Sequence, residues 1–296
     1  MTVICKNLTK QYREMHAVHE LSVQFKENSL TGLIGRNGAG KTTLLQMIAG
    51  YTLPTSGEVT VFGKNPFNNL FISANTIFID DQMVFSPELT LREILKTGKV
   101  FYKNWDEELA FKLLKYFSLG ENQFHAELSK GKKSTFNMIF GLASKCALTI
   151  FDEPTTGMDY SVRQDFYRAL LKDYINHPRT IIVSSHLLNE IEHILEEIVL
   201  IKDGKLCLHE TVEDLKEYAV GLMGEQALIE TFVQGKNIIG KELDLNSAYY
   251  VVKDDFSTDE KLTMERSGIK LTQVSTPDLT VMLTSPNEGG IDDVFK

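Results

Sequence analysis

The fold is decided by the stretch Gly35-Arg36-Asn37-Gly38-Ala39-Gly40-Lys41-Thr42-Thr43, which fits the pattern G-x-x-x-x-G-K-S/T of phosphate-binding loops. Its glycines allow backbone conformations that turn successive N–H groups toward an anion. Lys41 supplies a positive charge for the β- and γ-phosphates of a nucleotide, and Thr42 offers a hydroxyl to Mg²⁺. A strand-like run at 30–34 precedes the loop and a helical run follows it, which places the phosphates at a helix N-terminus. This context predicts nucleotide binding rather than a fortuitous glycine-rich turn.

Length and charge limit the remaining possibilities. A chain of 296 residues suits one large domain with a smaller one. The net charge of −9 argues against a nucleic-acid partner. Because no apolar run reaches about 18 residues, we expect no segment that spans a membrane. We expect Cys5, Cys146 and Cys207, which are far apart in sequence, to be small buried residues in a reducing cytosol.

The pattern of apolar residues predicts an α/β fold with an inserted helical part. Continuous apolar runs at 147–151 and 180–183 are typical of parallel strands that are buried on both faces. A helix is expected between them at 160–176, with an apolar side made by Val162, Phe166, Leu170 and Ile175. Strand, helix and strand in this order indicate a parallel sheet. Helical spacing at 88–145 predicts the insertion, and Asp203-Gly204 predicts a hairpin turn.

The last part of the chain has a different character. Beyond about residue 215, short strand-like runs occur at 228–233, 249–252 and 279–283, and helical spacing returns at 290–295. We therefore expect a small appended α+β domain in this region. None of the residues in this region forms a catalytic or binding motif that we can name.

Polar side chains follow three of the strand-like runs. Asp152 and Glu153 close the run at 147–151, and they would face a ligand crevice at the carboxyl edge of a parallel sheet. Asp152 can hold Mg²⁺, and Glu153 can orient and deprotonate a water for attack on a γ-phosphate. His186 can bond the γ-phosphate or that water. Gln82 can contact Mg²⁺ or water while its backbone hinges the insertion. The plainer alternatives are an acidic helix cap, a structural histidine and a surface glutamine.

Taken in order, these elements resemble the ATP-binding subunits of ABC transporters. The resemblance covers residues 1 to about 213 and includes a segment that matches the family signature, Leu128-Ser129-Lys130-Gly131-Lys132. Tyr12 matches the aromatic residue that stacks on adenine in the family, although a packed core aromatic is the alternative. Asp159 matches the loop that meets the opposite subunit. The fold implied is that of a P-loop NTPase of the ABC type.

The signature departs from the usual L-S-G-G-Q. Ser129 and Gly131 remain, and these are the members whose hydroxyl and backbone N–H meet a γ-phosphate in the family. Lys130 replaces a glycine and Lys132 replaces the glutamine, and added positive charge is compatible with a phosphate. The alternative is a solvated basic turn before a helix. The lysine-rich variant, together with the segment 101–109, resembles Gram-positive exporter subunits for antimicrobial or cytolytic peptides.

The resemblance implies an ATP-binding domain at 1–213, with a helical subdomain inserted at about 84–145, and an accessory domain at 214–296. It implies an ATPase that uses ATP and Mg²⁺, with Mg²⁺ held by Thr42, Gln82 and Asp152. If the insertion stands apart from the phosphate loop, Ser129 must serve a nucleotide bound by another copy. We therefore expect a homodimer or heterodimer around two ATP molecules.

The resemblance also implies a separate transmembrane permease, which would place the chain in the cytoplasm at the inner face of the membrane. We expect the permease to dock on the groove around 83–85 and Leu89, and Phe85→Ala to uncouple transport. The alternative is a soluble ABC-type ATPase of the iron–sulfur-assembly kind. A purely regulatory binder is disfavoured, because Asp152, Glu153 and His186 are all present.

Overall fold

The computed structural model describes residues 2–243 and 247–285. The chain divides into two compact units, Met1–His209 and Glu210–Lys296. The strands up to residue 211 are β1 Val3–Tyr12, β2 Met15–Phe25, β3 Leu30–Ile34, β4 Ser56–Val61, β5 Thr76–Ile79, β6 Leu148–Asp152, β7 Thr180–Ser185, β8 Glu197–Lys202 and β9 Lys205–Thr211. The helices of the first unit are α1 Lys41–Ile48, α2 Leu70–Asn75, α3 Leu91–Phe101, α4 Glu107–Tyr116, α5 Lys130–Ser144, α6 Tyr160–Asn176 and α7 Leu188–Ile191.

The first unit is built on a six-stranded sheet in the order β5-β6-β7-β3-β8-β9. The pairs from β5 to β8 are parallel, so their carboxyl ends share one edge of the sheet. A three-stranded antiparallel sheet in the order β2-β1-β4 lies across a common apolar core from it. Helix α1 contributes Leu44, Leu45, Met47 and Ile48 to that core. The predicted α/β class is confirmed.

The helical part contains α3, α4 and α5, and its sequence explains where the helices begin. Thr90 and Glu93 form a capping box at the start of α3, and Asp106 accepts from the N–H of Leu109 at the start of α4. Trp105 packs against Gly98, where an added Cβ would lie 2.5 Å from the indole ring. Helix α5 is almost wholly buried beyond its first turn.

The second unit is an α+β domain, as predicted. Its elements are α8 Val212–Lys216, β10 Ala219–Gly224, α9 Gln226–Phe232, β11 Ile238–Leu243, β12 Ala248–Lys253, α10 Thr258–Arg266, β13 Lys270–Gln273 and α11 Thr276–Thr284. The order β10-α9-β11-β12-α10-β13 and the antiparallel sheet order β11-β12-β10-β13 define a split β-α-β arrangement. Helices α9 and α10 contribute Ile229 and Met264 to its apolar core.

Several sequence-based expectations are wrong. The run at 228–233 lies in helix α9 and its C-cap, and the run at 279–283 lies in helix α11, so neither is a strand. Buried Ile229 and Val233 lie four residues apart on one helical face, and the Ser275 cap with a proline in the first turn starts α11. Ile175 is exposed on α6, and Cys207 is exposed on β9, whereas Cys5 and Cys146 are buried. The expected helix at 290–295 lies outside the described residues.

Candidate nucleotide-binding and catalytic site

The phosphate loop connects β3 to α1, as the sequence predicts. Gly38 and Gly40 have φ angles of 83° and 99°, which side chains other than glycine rarely adopt. A Cβ on Gly40 would overlap the carbonyl oxygen of Ala17, whereas a Cβ on Gly38 would meet no atom within 4 Å. The loop is therefore packed tightly on one side and open at Gly38. Its backbone and the N-terminus of α1 form a cradle that suits an anion.

Lys41 is buried at the start of α1 and its ammonium group has three oxygen partners. It donates to the carbonyl oxygen of Gly35 at 2.8 Å and to that of Arg36 at 3.3 Å. It also lies 3.1 Å from Oε1 of Glu153. The carboxylate that sequence reasoning assigned to water activation thus contacts the phosphate loop directly.

Asp152 ends β6 directly opposite Ser184 of β7. The Ser184 hydroxyl donates to Oδ1 of Asp152 at 2.5 Å and accepts from the N–H of Glu153 at 2.9 Å. Burial raises the pKa of Asp152, and the hydrogen bonds from Ser184 and Thr42 oppose that rise. Asp152 and Thr42, two of the three proposed Mg²⁺ ligands, therefore lie within hydrogen-bonding reach of each other.

Glu153 joins the loop to the end of β7. Its Oε2 lies 2.9 Å from Nδ1 of His186, while Oε1 faces Lys41. Its backbone has a φ of 46°, an uncommon conformation for a residue other than glycine. Such conformations persist where surrounding contacts fix them, and here the Ser184 hydroxyl holds the Glu153 N–H. The structure thus brings Lys41, Glu153 and His186 into one row.

Gln82 occupies a different position from the one expected for a Mg²⁺ ligand. Its amide donates to Oδ1 of Asp81 at 3.0 Å, and its N–H donates to Asp80 at 3.1 Å. Burial raises the pKa of Asp80, and the charge of Asp152 raises it further. In this conformation Gln82 is turned toward Asp81.

The signature segment begins helix α5. Ser129 is the N-cap residue but its hydroxyl makes no capping hydrogen bond, and Leu128 is buried beneath it. Gly131 lies against the loop that follows Glu153, because a Cβ there would overlap the carbonyl oxygen of Gly157. The exposed Lys130 pairs with Asp81 at 3.1 Å, and Lys132 is also exposed. Ser129, Lys130 and Lys132 therefore present polar groups at one helix N-terminus.

The remaining predicted residues are exposed. Tyr12 ends β1 with 44% of its surface accessible, and Lys10 lies over its ring at 5.1 Å. The packed-core alternative for Tyr12 is therefore wrong. Asp159 caps α6 by accepting from the N–H of Val162 at 3.0 Å, and this bond is the main reason that its pKa is lowered. An exposed ring and an exposed cap are compatible with contacts to another molecule.

Sequence reasoning missed Ser184, Asp80 and Asp81. Ser184 could have been noticed as a polar residue within an otherwise apolar run, at the position where β7 ends beside β6. The two aspartates precede Gln82 directly and follow β5, which places them at the same edge of the sheet as Asp152. Asp80 and Asp81 belong to no recognisable sequence motif, and only the sheet order shows that they lie at the same edge of the sheet as Asp152.

The donor set fits a nucleotide with Mg²⁺ better than a metal held by protein alone. Across the described part of the chain, no cluster of three or more histidine, cysteine or acidic residues could bind a metal ion by itself. Mg²⁺ is commonly held by one or two carboxylates together with substrate phosphates. Asp152 and the Thr42 hydroxyl supply such a partial set beside the cradle.

The fold and this edge of the sheet define a P-loop ATPase of the ATP-binding cassette type. Residues 18–156 match the ABC transporter family. The chain is 33% identical over 225 residues to the bacitracin transport ATP-binding protein BcrA of Bacillus licheniformis, covering 73% of this chain and 72% of that protein. It is 30% identical over 231 residues to the SkfA peptide export ATP-binding protein SkfE of Bacillus subtilis, covering 74% and 96%.

Among solved structures, the fold is similar to a dimeric structure of a post-hydrolysis state of the ATP-binding cassette MJ0796 bound to ADP and Pi. The TM-score is 0.61 at 23% identity, with 71% of this chain and 98% of that chain covered. This chain belongs to the ATP-binding proteins of the ABC transporter family. In the described residues, no helix is both long and apolar enough to cross a membrane.

Proposed function

We propose that this chain hydrolyses ATP as a dimer with two Mg-ATP between its copies, and that it powers export of a peptide or similar amphipath through a separate membrane protein. The observation that carries the proposal is the row Lys41–Glu153–His186, which joins the phosphate loop to a general base and a second polar group. The family assignment supports it, and so do two relatives, the bacitracin transport ATP-binding protein BcrA and the SkfA peptide export ATP-binding protein SkfE.

Each residue of the row has a task in hydrolysis. Bound ATP supplies the γ-phosphoryl group that water attacks. Lys41 neutralises phosphate charge, and when it turns from Glu153 to the phosphates it frees Oε1 of Glu153 to accept a proton from water. The Nδ1–H tautomer of His186 donates to Oε2 and fixes the direction of the carboxylate. Thr42 and Asp152 hold Mg²⁺, and the Tyr12 ring stacks on the adenine.

A second copy completes the site in this proposal. The chain contains both a phosphate loop with Glu153 and a signature with Ser129 and Gly131, so two identical copies can form two equal sites. The uncapped hydroxyl of Ser129 and the free N–H groups at the start of α5 are suited to a γ-phosphate that another copy presents.

Three variants test this assignment. Glu153→Gln should bind ATP, lose at least about a hundredfold in turnover, and accumulate as a dimer in Mg-ATP, because an amide cannot act as the base. Lys41→Ala should instead weaken nucleotide binding. Glu108→Gln, a matched change of an exposed glutamate on α4, should leave turnover unchanged. Full turnover by Glu153→Gln would remove Glu153 from catalysis.

A groove beside the Gln82 segment supports docking of a membrane partner. It has a volume of about 410 Å³ and is lined by Leu70, Ser73, Ala74, Met83, Phe85, Thr97, Phe101, Tyr102 and Phe140. Leu70 and Phe101 are 88% and 70% exposed, which is unusual for large apolar side chains on one groove. Leu89 is not among its lining residues. We propose that an apolar cytoplasmic segment of the permease occupies this groove.

The structure changes the choice of docking variant. Phe85 packs edge-on against His125, Phe136 and Phe140, so Phe85→Ala would disturb packing as well as docking. Phe101→Asp changes an exposed ring instead. It should reduce the fraction of the chain that sediments with membranes of its host while leaving the ATPase rate of the isolated chain unchanged. The control is Ile175→Asp, which changes an exposed side chain near the end of α6. Equal sedimentation of both variants would reject the groove as the docking site.

A further inference from the structure

The lysine that replaces a signature glycine has a specific partner in its own chain. Nζ of Lys130 lies 3.1 Å from Oδ2 of Asp81, with 62% and 33% of the two side chains exposed. The other oxygen of the same carboxylate accepts from the amide of Gln82 at 3.0 Å. Asp81 therefore connects the signature to Gln82 across one carboxylate.

Asp81 is ionised when it makes these contacts. The hydrogen bond from Gln82 is the largest reason that the pKa of Asp81 is lowered, and the contact with Lys130 lowers it further. The carboxylate can thus attract the lysine ammonium and orient the glutamine amide at neutral pH.

A second, buried link joins the same two segments. Asn137, on α5, donates to the carbonyl oxygens of Asp80 at 3.3 Å and Met83 at 3.4 Å. Its own carbonyl oxygen lies 2.9 Å from Nε2 of His125. These contacts keep the Gln82 segment near α5 whether or not the exposed pair is formed. The Lys130–Asp81 pair can therefore break without separating the segments.

The position of Lys130 offers it a competing anion. Lys130 is the first residue of α5, next to the uncapped Ser129, where the unpaired N–H groups of the helix attract negative charge. A γ-phosphate carries more negative charge than one carboxylate. A phosphate presented to this helix by a second copy would therefore compete with Asp81 for the ammonium group of Lys130.

We propose that Lys130 exchanges partners between two states: it pairs with Asp81 in the open chain and with the γ-phosphate held by a second copy in the closed dimer. This inference rests on the dimeric ATPase proposed above. In the open chain this pair opposes closure, because it must break before Lys130 can pair with the phosphate. When the phosphate takes Lys130, Asp81 loses this ion pair and keeps the hydrogen bond from the amide of Gln82. Lys130 and Asp81 are positioning residues in this account.

The exchange predicts a measurable shift in the ATP dependence of dimer formation. Closure of the dimer breaks one Lys130–Asp81 pair in each copy and encloses two nucleotides. The ATP concentration at half-maximal dimer formation should therefore shift by the contribution of one ion pair. An exposed ion pair changes an equilibrium by about twofold to fivefold. In full-length Glu153→Gln protein, Asp81→Asn should lower the ATP concentration at half-maximal dimer formation by that factor, measured by light scattering in Mg-ATP. The shift should fade as salt screens the pair.

Two further variants identify the partner. With Lys130→Gln present, Asp81→Asn should have no additional effect, because the pair is already lost. With Lys132→Gln present, which removes a nearby charge but leaves the pair intact, the full shift should remain. An unchanged or raised ATP midpoint in Asp81→Asn, or a shift that persists with Lys130→Gln, would overturn the exchange. If Glu153→Gln alone stays monomeric in saturating Mg-ATP, the dimeric function itself fails and this inference fails with it.

Discussion

Ser184→Ala removes one hydroxyl that holds both carboxylates of the candidate site. Ser184 is fully buried, donates to Asp152 at 2.5 Å and accepts from the N–H of Glu153 at 2.9 Å. The substitution leaves a buried carboxylate and a partly buried N–H each short of one partner. Both stability and turnover should therefore fall.

The size of the stability loss follows from the two contacts. A hydrogen bond to a charged group contributes about 1.5–3 kcal/mol, and a buried N–H without a partner costs about 1–3 kcal/mol. Because one hydroxyl makes both contacts, we expect the lower values to apply, and the free energy of unfolding should fall by about 2.5 kcal/mol. The pKa of Asp152 should rise further, since the Ser184 hydrogen bond is the largest effect that opposes burial.

Turnover should fall for a separate reason. Glu153 has a positive φ and loses the contact that fixes its N–H, so its carboxylate is no longer held beside Lys41 and His186. Misplacement of a catalytic group by about 1 Å can cost about a hundredfold in rate, and we expect kcat to fall by about tenfold to a hundredfold. The measurements are urea denaturation and steady-state ATPase assays under conditions where the variant is folded.

Thr149→Val is the matched control. Thr149 is also fully buried on β6, but its hydroxyl donates to Cys146 and accepts from Arg179 at the opposite end of the strand. This variant should lose stability and keep kcat. If Ser184→Ala left both the denaturation midpoint and kcat unchanged, or if Thr149→Val reduced kcat equally, Ser184 would not be the residue that positions the carboxylates.

Three other predictions concern separate features of the chain. Asp173→Ala should lower the free energy of unfolding by about 3–5 kcal/mol in urea denaturation, because it leaves buried Arg179 without its carboxylate and Lys145 with only the longer pair to Asp106. An unchanged denaturation midpoint would contradict this. Gly131→Ala should lower ATPase turnover by about tenfold or more, because the added Cβ displaces the signature from the loop after Glu153. Binding of a fluorescent ATP analogue to the monomer should be unchanged. An equal loss of binding would place the effect in the phosphate loop instead. A thiol reagent should modify exposed Cys207 in the native protein, and buried Cys5 and Cys146 only after denaturation. Burial also raises the pKa of Cys5 to about 12, which disfavours its reactive thiolate. Rapid reaction of more than one thiol in the native protein would contradict this.

Local sequence predicts much of the first unit because its signals are local. The phosphate loop contains its own glycines and its own following helix, and the runs before Asp152 and His186 are long enough to indicate buried strands. Asp152 and His186 lie at or just after the ends of these two runs. That arrangement predicts that they share an edge of the sheet.

Contacts between distant strands are not encoded in any local pattern. The neighbouring positions of β6, β7 and β3 determine that Glu153 meets both Lys41 and His186. Likewise, the contact between Lys130 and Asp81 joins residues on separate elements. The contribution of Ser184 follows from its register with Asp152, which only the paired strands reveal.

The second unit shows how short apolar runs mislead. Residues 228–233 contain isoleucine, phenylalanine and valine, which favour strands, yet tertiary packing of one face makes the segment helical. The strand propensity of six residues is too weak to decide between a strand and a helix. The start of α11 was marked by Ser275 and by a proline in its first turn, and these capping signals were better evidence than the apolar residues that follow.

The central claim is that each ATP lies between the phosphate loop of one copy and the signature of another. It can be tested with Asn37→Cys in one preparation and Ser129→Cys in a second, both carrying Glu153→Gln and Cys207→Ser. The two preparations are mixed and treated with a short bifunctional thiol reagent. The account predicts a covalent link between Cys at 37 of one copy and Cys at 129 of the other that forms in Mg-ATP and is lost without nucleotide. A link that ignores ATP, or no link between copies at saturating Mg-ATP, would contradict it.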